Sequence, residues 1–157
     1  MIRIIGNGKS PNGKKFSDKE NDRRYIGDVG EAHAAECLKK LHYRILEREF
    51  VCRWGEIDIV AMKNQCVHFV EVKTSDANSP FYPESHLTRD KMRRYLLMAE
   101  DYKKILRSKF GIDADSLQYS FDLFAVLIDR KARKITSEKF YAGAFMSAED
   151  AELLRNE

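Results

Sequence analysis

"GEIDIVAMKNQCVHFVEVKT", residues 55–74, reads as two strands joined by a short polar turn. Its apolar positions are Ile57, Ile59, Val60 and Ala61, then Val67, Phe69, Val70 and Val72. Runs this apolar are normally buried on both faces of a sheet. Yet Glu56, Asp58, Glu71 and Lys73 lie inside them. An unpaired buried carboxylate is costly, and such a group pairs, takes up a proton or binds a metal. Side chains alternate along a strand. Glu71 and Lys73 therefore share a face with Val67 and Phe69, and Glu56 and Asp58 share one with Val60. A turn centred near Asn64 makes Asp58 and Glu71 near neighbours across the hairpin. Like charges so placed repel, and something positive belongs between them. Lys73 and a divalent cation are the two candidates.

Outward from the hairpin, "YIGDVGEAHAAECLKKL" (residues 25–41) has the spacing of a helix, with Ala34, Ala35, Leu38 and Leu41 as its apolar stripe. Stepping back along that stripe reaches Glu31, an acid on the inward face near the helix N-terminus, where the helix dipole favours an anion. Residues 42–51 read as a strand, and 75–88, rich in Pro, Ser and Asn, as a loop. A long helix follows from Thr88, a plausible N-cap, to about Lys109, ended by Gly111. Met92, Tyr95, Leu96, Ala99, Tyr102 and Leu106 form its buried stripe, flanked by basic residues. Strands are predicted over 117–129 and 134–145, and a short acidic helix, capped by Ser147, over 147–157. The order helix, three strands, helix, two strands predicts an α/β domain with a central mixed sheet flanked by helices. It divides the chain into a flexible basic segment (1–22), one folded domain (23–146) and an acidic tail (147–157).

The 157 residues suit one domain, and 28 Lys+Arg against 25 Asp+Glu leave a net charge of only +3. Position says more than the total. Arg89, Lys91, Arg93 and Arg94 open the long helix, and Lys9, Lys14, Lys15 and Lys19 crowd the first segment. Such clusters suit a polyanion, or are simply a solvated face. Cys37, Cys52 and Cys66 are odd in number and far apart, which speaks against a disulfide framework and gives no structural zinc pattern. No signal peptide or membrane-spanning apolar run is present, so no membrane partner and a cytoplasmic location are expected.

Asp58 and Glu71 have the chemistry of a site for Mg2+ or Mn2+, because hard cations take oxygen ligands. A metal there polarises a phosphate and acidifies a water. Lys73 faces the same way, and could orient or deprotonate that water or offset charge on the phosphate. Glu31 would complete the acidic cluster. The same residues are equally those of a structural ladder, Asp58–Lys73 or Glu71–Lys73. The apolar flanks, the hairpin closure and the inward Glu31 favour the site.

An Asp on one strand and an E-x-K on the next resemble the PD-(D/E)xK signature of the restriction-endonuclease-like fold. "GDVGEAHAAECLKKLHYRILERE", "WGEIDIVA", "HFVEVKT" and "FDLFAV", in that order, resemble the YraN-like family of bacterial proteins over roughly residues 24–130. That family is regarded as a group of predicted nucleases related to archaeal Holliday-junction resolvases. The resemblance implies a metal-dependent endonuclease acting on branched or otherwise structured DNA. It implies Glu31, Asp58, Glu71 and Lys73 as catalytic residues, with Asp58 and Glu71 holding the metal. It also implies a homodimer, and matches Lys91 to a basic position of the family, which either contacts the scissile phosphate or belongs to a solvated basic face. Arg89, Arg93 and Arg94 would bind the backbone beside it. The chain departs from the family at Ser75, where a basic residue is usual. The rival reading is a non-catalytic nucleic-acid-binding module on the same fold.

Six other residues invite a role and carry a plainer reading. His33 is out of phase with Glu31, and His68 alternates away from Glu71, so both are ordinary polar positions. Trp54 is either a base-stacking platform or a core anchor, and His86, with Phe81 and Tyr82 before it, belongs to the loop.

Overall fold

Alternating apolar residues around a two-residue turn close the central hairpin. In the computed structural model, which describes residues 18–78, 88–146 and 148–156, β2 (Gly55–Lys63) meets β3 (Cys66–Asp76) through Asn64 and Gln65. Both turn residues have positive φ, 50° and 58°. This is the backbone of a type I′ turn, whose twist suits paired strands. β1 (Arg44–Cys52) runs antiparallel to β2. β4 (Gln118–Asp129) lies parallel to β3, and β5 (Lys134–Met146) antiparallel to β4. The result is a five-stranded mixed sheet in the order β1-β2-β3-β4-β5. A parallel pair needs a crossover, and α2 (Arg89–Phe110) lies in it. The domain is the α/β arrangement the sequence predicts, compatible with a restriction-endonuclease-like fold.

Each sheet face has its helix because the strands are apolar on both sides. Val60, Val67, Phe69 and Phe121 pack with Tyr95, Leu96, Ala99, Tyr102 and Leu106 of α2. Ile59, Ala61, Val70, Val72 and Phe124 pack with Ala34, Ala35 and Leu38 of α1 (Asp18–Lys40). Tyr102 meets Phe50 and Phe69 edge-on, at centroid distances of 5.0 and 5.9 Å. The predicted stripe of α2 stands, with Met98 added to it and Met92 only partly buried. Thr88 caps α2 by accepting the Lys91 N–H, and Gly111 ends it in the left-handed region.

Three boundaries differ from expectation. α1 begins at Asp18, so residues 18–22 of the segment read as flexible are helical; their Lys and Glu are good helix formers that extend the periodic stretch backwards. Leu41 is 48% exposed, because α1 stops at Lys40 and His42 turns the chain with a φ of 66°. β3 runs on to Asp76, shortening the predicted loop. α3 (Ala148–Arg155) matches the predicted acidic helix. The basic residues before Asp18, the loop residues Phe81, Tyr82 and His86, and the cap Ser147 lie outside the described residues. No described helix is long and apolar enough to cross a membrane.

One glycine fixes how α1 meets the sheet. A Cβ on Gly30 would stand 1.8 Å from the Thr74 hydroxyl oxygen. Only a residue without a side chain allows that approach, which joins the Gly before Glu31 to the Thr after Lys73.

Candidate active site

The site forms where the central hairpin opens. The β2–β3 ladder ends at Ile59↔Val70. Beyond that rung β2 stays with β1 as far as Cys52↔Gly55, and β3 stays with β4 as far as Asp76↔Ile128. Asp58 and Glu71 are the first residues past the last shared rung, facing each other across the fork. The Val72 N–H donates to Asp58 Oδ2 at 2.7 Å, so a side chain takes up a donor that the ladder no longer serves. Glu49 of β1, opposite Asp58 between the rungs Arg48↔Ile59 and Phe50↔Ile57, has a left-handed φ of 53°.

Glu71 is buried and well supplied with donors. Lys91 and Lys73 each place Nζ 2.9 Å from its Oε1, and the Tyr95 hydroxyl donates to Oε2. Burial pushes the Glu71 carboxyl up, but these hydrogen bonds outweigh it and hold the group below the ordinary 4.5. Asp58 has fewer donors. Burial, then the nearby Glu71 charge, raise it from 3.8 to about 6, against the opposing Val72 hydrogen bond. The close contact of Gly30 with Thr74 brings Glu31 to the same fork. Burial first, and then Asp58, raise Glu31 from 4.5 to about 7. Its Oε2 is buried without a hydrogen-bond partner.

Glu31, Asp58 and Glu71 line one recess of about 320 Å³. Lys91, Arg94 and Tyr95 close it from α2, and Trp54, Gly55 and Glu56 from the start of β2. Lys73 does not line it. Its side chain edges a neighbouring recess with Val72, Thr74 and Arg130, and it reaches the site through Glu71. The predicted basic set divides in the same way. Lys91 and Arg94 face the recess. Arg93 lies 3.7 Å from Asp90 and borders a separate groove with Leu96, Leu97 and Leu154. Arg89 is exposed in the first turn of α2.

The donor chemistry fits a hard divalent cation. The groups at the fork are carboxylate oxygens, one of them buried and unpartnered, and their mutual repulsion is what a cation relieves. Among the described residues, the one group offering three His, Cys, Asp or Glu ligand atoms within 4.8 Å of one another is elsewhere, at His33, Cys37 and Glu138. A cation at the fork therefore relies on Asp58 and Glu71, with further oxygens beyond the side chains.

Two buried polar contacts were not legible in the sequence. Tyr95 was legible as a core residue, but not as the donor that fixes Glu71; a fully buried Tyr generally finds a partner for its hydroxyl. Asp122, fully buried, accepts the Gly143 N–H at 2.7 Å, pairs with His68 Nδ1 at 2.6 Å and also accepts from Ser120. His68 does lie on the face opposite Glu71, as expected, and there it ties β3 to β4. Trp54 lines the recess while packing on the α2-side core, with Arg53 over its ring at 4.4 Å.

The chain has relatives among known proteins. The model of "Uncharacterised protein family UPF0102" matches residues 30–126, from Gly30 to Val126 within β4. A UPF0102 protein of Caldicellulosiruptor saccharolyticus is 37% identical over 110 residues, covering 70% of this chain and 88% of its own. One from Moorella thermoacetica is 37% identical over 123 residues, covering 78% and 97%. One from Geotalea daltonii is 45% identical over 75 residues, covering 48% and 59%.

Proposed function

The chain belongs to the UPF0102 family, the YraN-like group, and for it we propose a metal-dependent endonuclease that hydrolyses phosphodiester bonds in branched or otherwise structured DNA. One observation carries the reading: Glu31, Asp58 and Glu71 converge on a single recess whose other wall is basic, from Lys91 and Arg94. A carboxylate cluster facing lysine and arginine suits a cation and a phosphate together.

Asp58 and Glu71 would hold Mg2+ or Mn2+, which supplies a Lewis acid for the phosphate and an acidified water. The chain's own groups do the rest. The Val72 N–H orients Asp58. Tyr95 and Lys73 fix Glu71 from its two oxygens. Lys91 and Arg94 offer cationic donors to phosphate oxygens, contacts that bind without reading base sequence. Glu31 is the group that can take or give a proton near neutral pH, since burial and Asp58 raise it to about 7. Lys73 acts through Glu71, whose carboxylate it holds in place from outside the recess.

One observation favours the rival, a nucleic-acid-binding module without catalysis: Glu71 is already paired with both Lys73 and Lys91. The test is a panel of labelled linear and branched DNAs with Mg2+ or Mn2+, wild type beside Asp58→Asn. The nuclease cleaves at least one substrate, and Asp58→Asn binds but does not cleave. DNA binding with no cleavage by the wild type selects the rival. Equal cleavage by the variant refutes the assignment of Asp58.

A further inference from the structure

A second constellation lies on the opposite side of α1, outside the recess. His33 and Cys37 are one helical turn apart on α1, and Glu138 projects from β5, where it pairs with Val126 of β4. His33 Nε2 is 3.4 Å from Cys37 Sγ and 3.2 Å from Glu138 Oε2. Cys37 Sγ is 4.0 Å from Glu138 Oε1. Three unlike ligand types thus meet at a point where helix and sheet edge adjoin.

We propose that His33, Cys37 and Glu138 form a Zn2+ site with a fourth position open to solvent. Zinc bonds of about 2.3 Å to sulfur and about 2.0–2.2 Å to nitrogen and oxygen, arranged as a tetrahedron, require ligand atoms roughly 3.4–3.6 Å apart. The observed spacings, 3.2 Å from His33 Nε2 to one Glu138 oxygen and 4.0 Å from Cys37 Sγ to the other, lie on either side of those edges, so small side-chain rotations bring one oxygen to the ion. His33 and Glu138 alone would make an ordinary ion pair; the sulfur adds the third ligand. That sulfur is partly buried and faces a carboxylate, both of which raise the thiol above its ordinary 9.0. Zn2+ reverses this balance: the S–Zn bond forms as the Cys37 proton leaves to solvent. Thiolate and imidazole favour zinc over magnesium, so this site and the carboxylate fork select different ions. Glu138 also lies beyond the residues that match the family, 30–126. A metal here clamps α1, the helix that carries Glu31, to the last strand.

Cobalt titration of the reduced, full-length protein tests the site, because a cobalt–thiolate bond absorbs strongly in the near ultraviolet and a carboxylate site does not. The expected result is one such band per chain, removed by adding Zn2+. It is lost in Cys37→Ser and kept in Cys66→Ser, and in Glu138→Gln it needs about tenfold more metal or higher. Glu138 is exposed, so its substitution tests the site even if Cys37→Ser folds poorly. A wild type without the band, a band that survives Cys37→Ser, or unchanged affinity in Glu138→Gln overturns the proposal.

Discussion

Replacing Glu31 by glutamine should stabilise the metal-free protein, and by more at high pH than at low. In the folded chain burial and Asp58 raise the carboxyl from 4.5 to about 7. A raised acid favours its neutral form in the native state. Below about pH 4.5 residue 31 is neutral in both states and costs nothing. As pH climbs towards 7 the unfolded chain has already lost this proton while the native chain retains it, so stability falls, and above 7 the cost is complete. Each tenfold change in proton affinity is worth about 1.4 kcal/mol, so the gap from 4.5 to about 7 sets a ceiling of about 3.4 kcal/mol. Glu31 is only half-buried, and solvent screening reduces that to roughly 1–2 kcal/mol. For a chain of this size, about 2–4 °C per kcal/mol follows, so Glu31→Gln should melt roughly 2–8 °C above wild type at pH 8.5. At pH 4.5 the two should melt together. Millimolar Mg2+ should narrow the difference at pH 8.5, since a cation on Asp58 and Glu71 offsets the same repulsion. Thermal unfolding followed by circular dichroism, in chelator and then in Mg2+, reads all three. An advantage of equal size at both pH values would show that shape, not charge, governs position 31. A wild type that is the more stable at pH 8.5 would refute the acidic-cluster account altogether.

Four further outcomes follow from named contacts. Mn2+ affinity should fall below about pH 6, where Asp58 takes up a proton, by up to tenfold for each pH step; calorimetry across pH 5–8 that shows a flat affinity sinks Asp58 as a ligand. Gly30→Ala puts a methyl 1.8 Å from Thr74 Oγ1 and should cost about 1–3 kcal/mol, partly restored by adding Thr74→Ala; urea midpoints check both. Tyr95→Phe removes a donor from buried Glu71 and should cost about 1–3 kcal/mol, with an m-value unchanged from wild type. Arg94→Ala at the recess should weaken DNA binding and flatten its salt dependence by about one phosphate contact, whereas Arg93→Ala, which borders another groove, should do less.

What the sequence made legible was local. The hairpin follows from alternation and an Asn that accepts a left-handed turn, and the facing of Asp58 and Glu71 follows from the hairpin. Glu31 is legible because the helix has one apolar stripe and the acid lies on it. The fork is not. Where the β2–β3 ladder stops depends on how far β1 and β4 pull each strand outward, and neither partner is encoded in the run 55–74. The same limit explains Lys73: alternation sets its face, but the diverging strand carries it towards Thr74 and Arg130. Arg93 and Arg94 look alike as neighbours in a basic run, yet one residue turns a helix by about 100°, enough to put them on different grooves. The His68–Asp122 pair joins residues 54 apart in the chain, and no periodicity announces such a partner.

The fork also gives three chemically similar acids different proton affinities. Glu71 collects three donors and stays ionised through the whole neutral range. Asp58 has one backbone donor and ionises at about 6, just below neutrality. Glu31 has an orphaned oxygen and sits at about 7. Environments that push like groups apart in proton affinity are how one fold assigns an acid, a base and a ligand. Glu71 is too strongly held to exchange a proton at pH 7, which suits a fixed ligand. Glu31 is half-protonated there, which suits a proton carrier and makes it a poor permanent ligand. The division rests on which residues β3, α2 and the Gly30–Thr74 contact bring to each carboxylate, so a substitution that evens out the donors, such as Tyr95→Phe, acts on the chemistry without touching any of the acids.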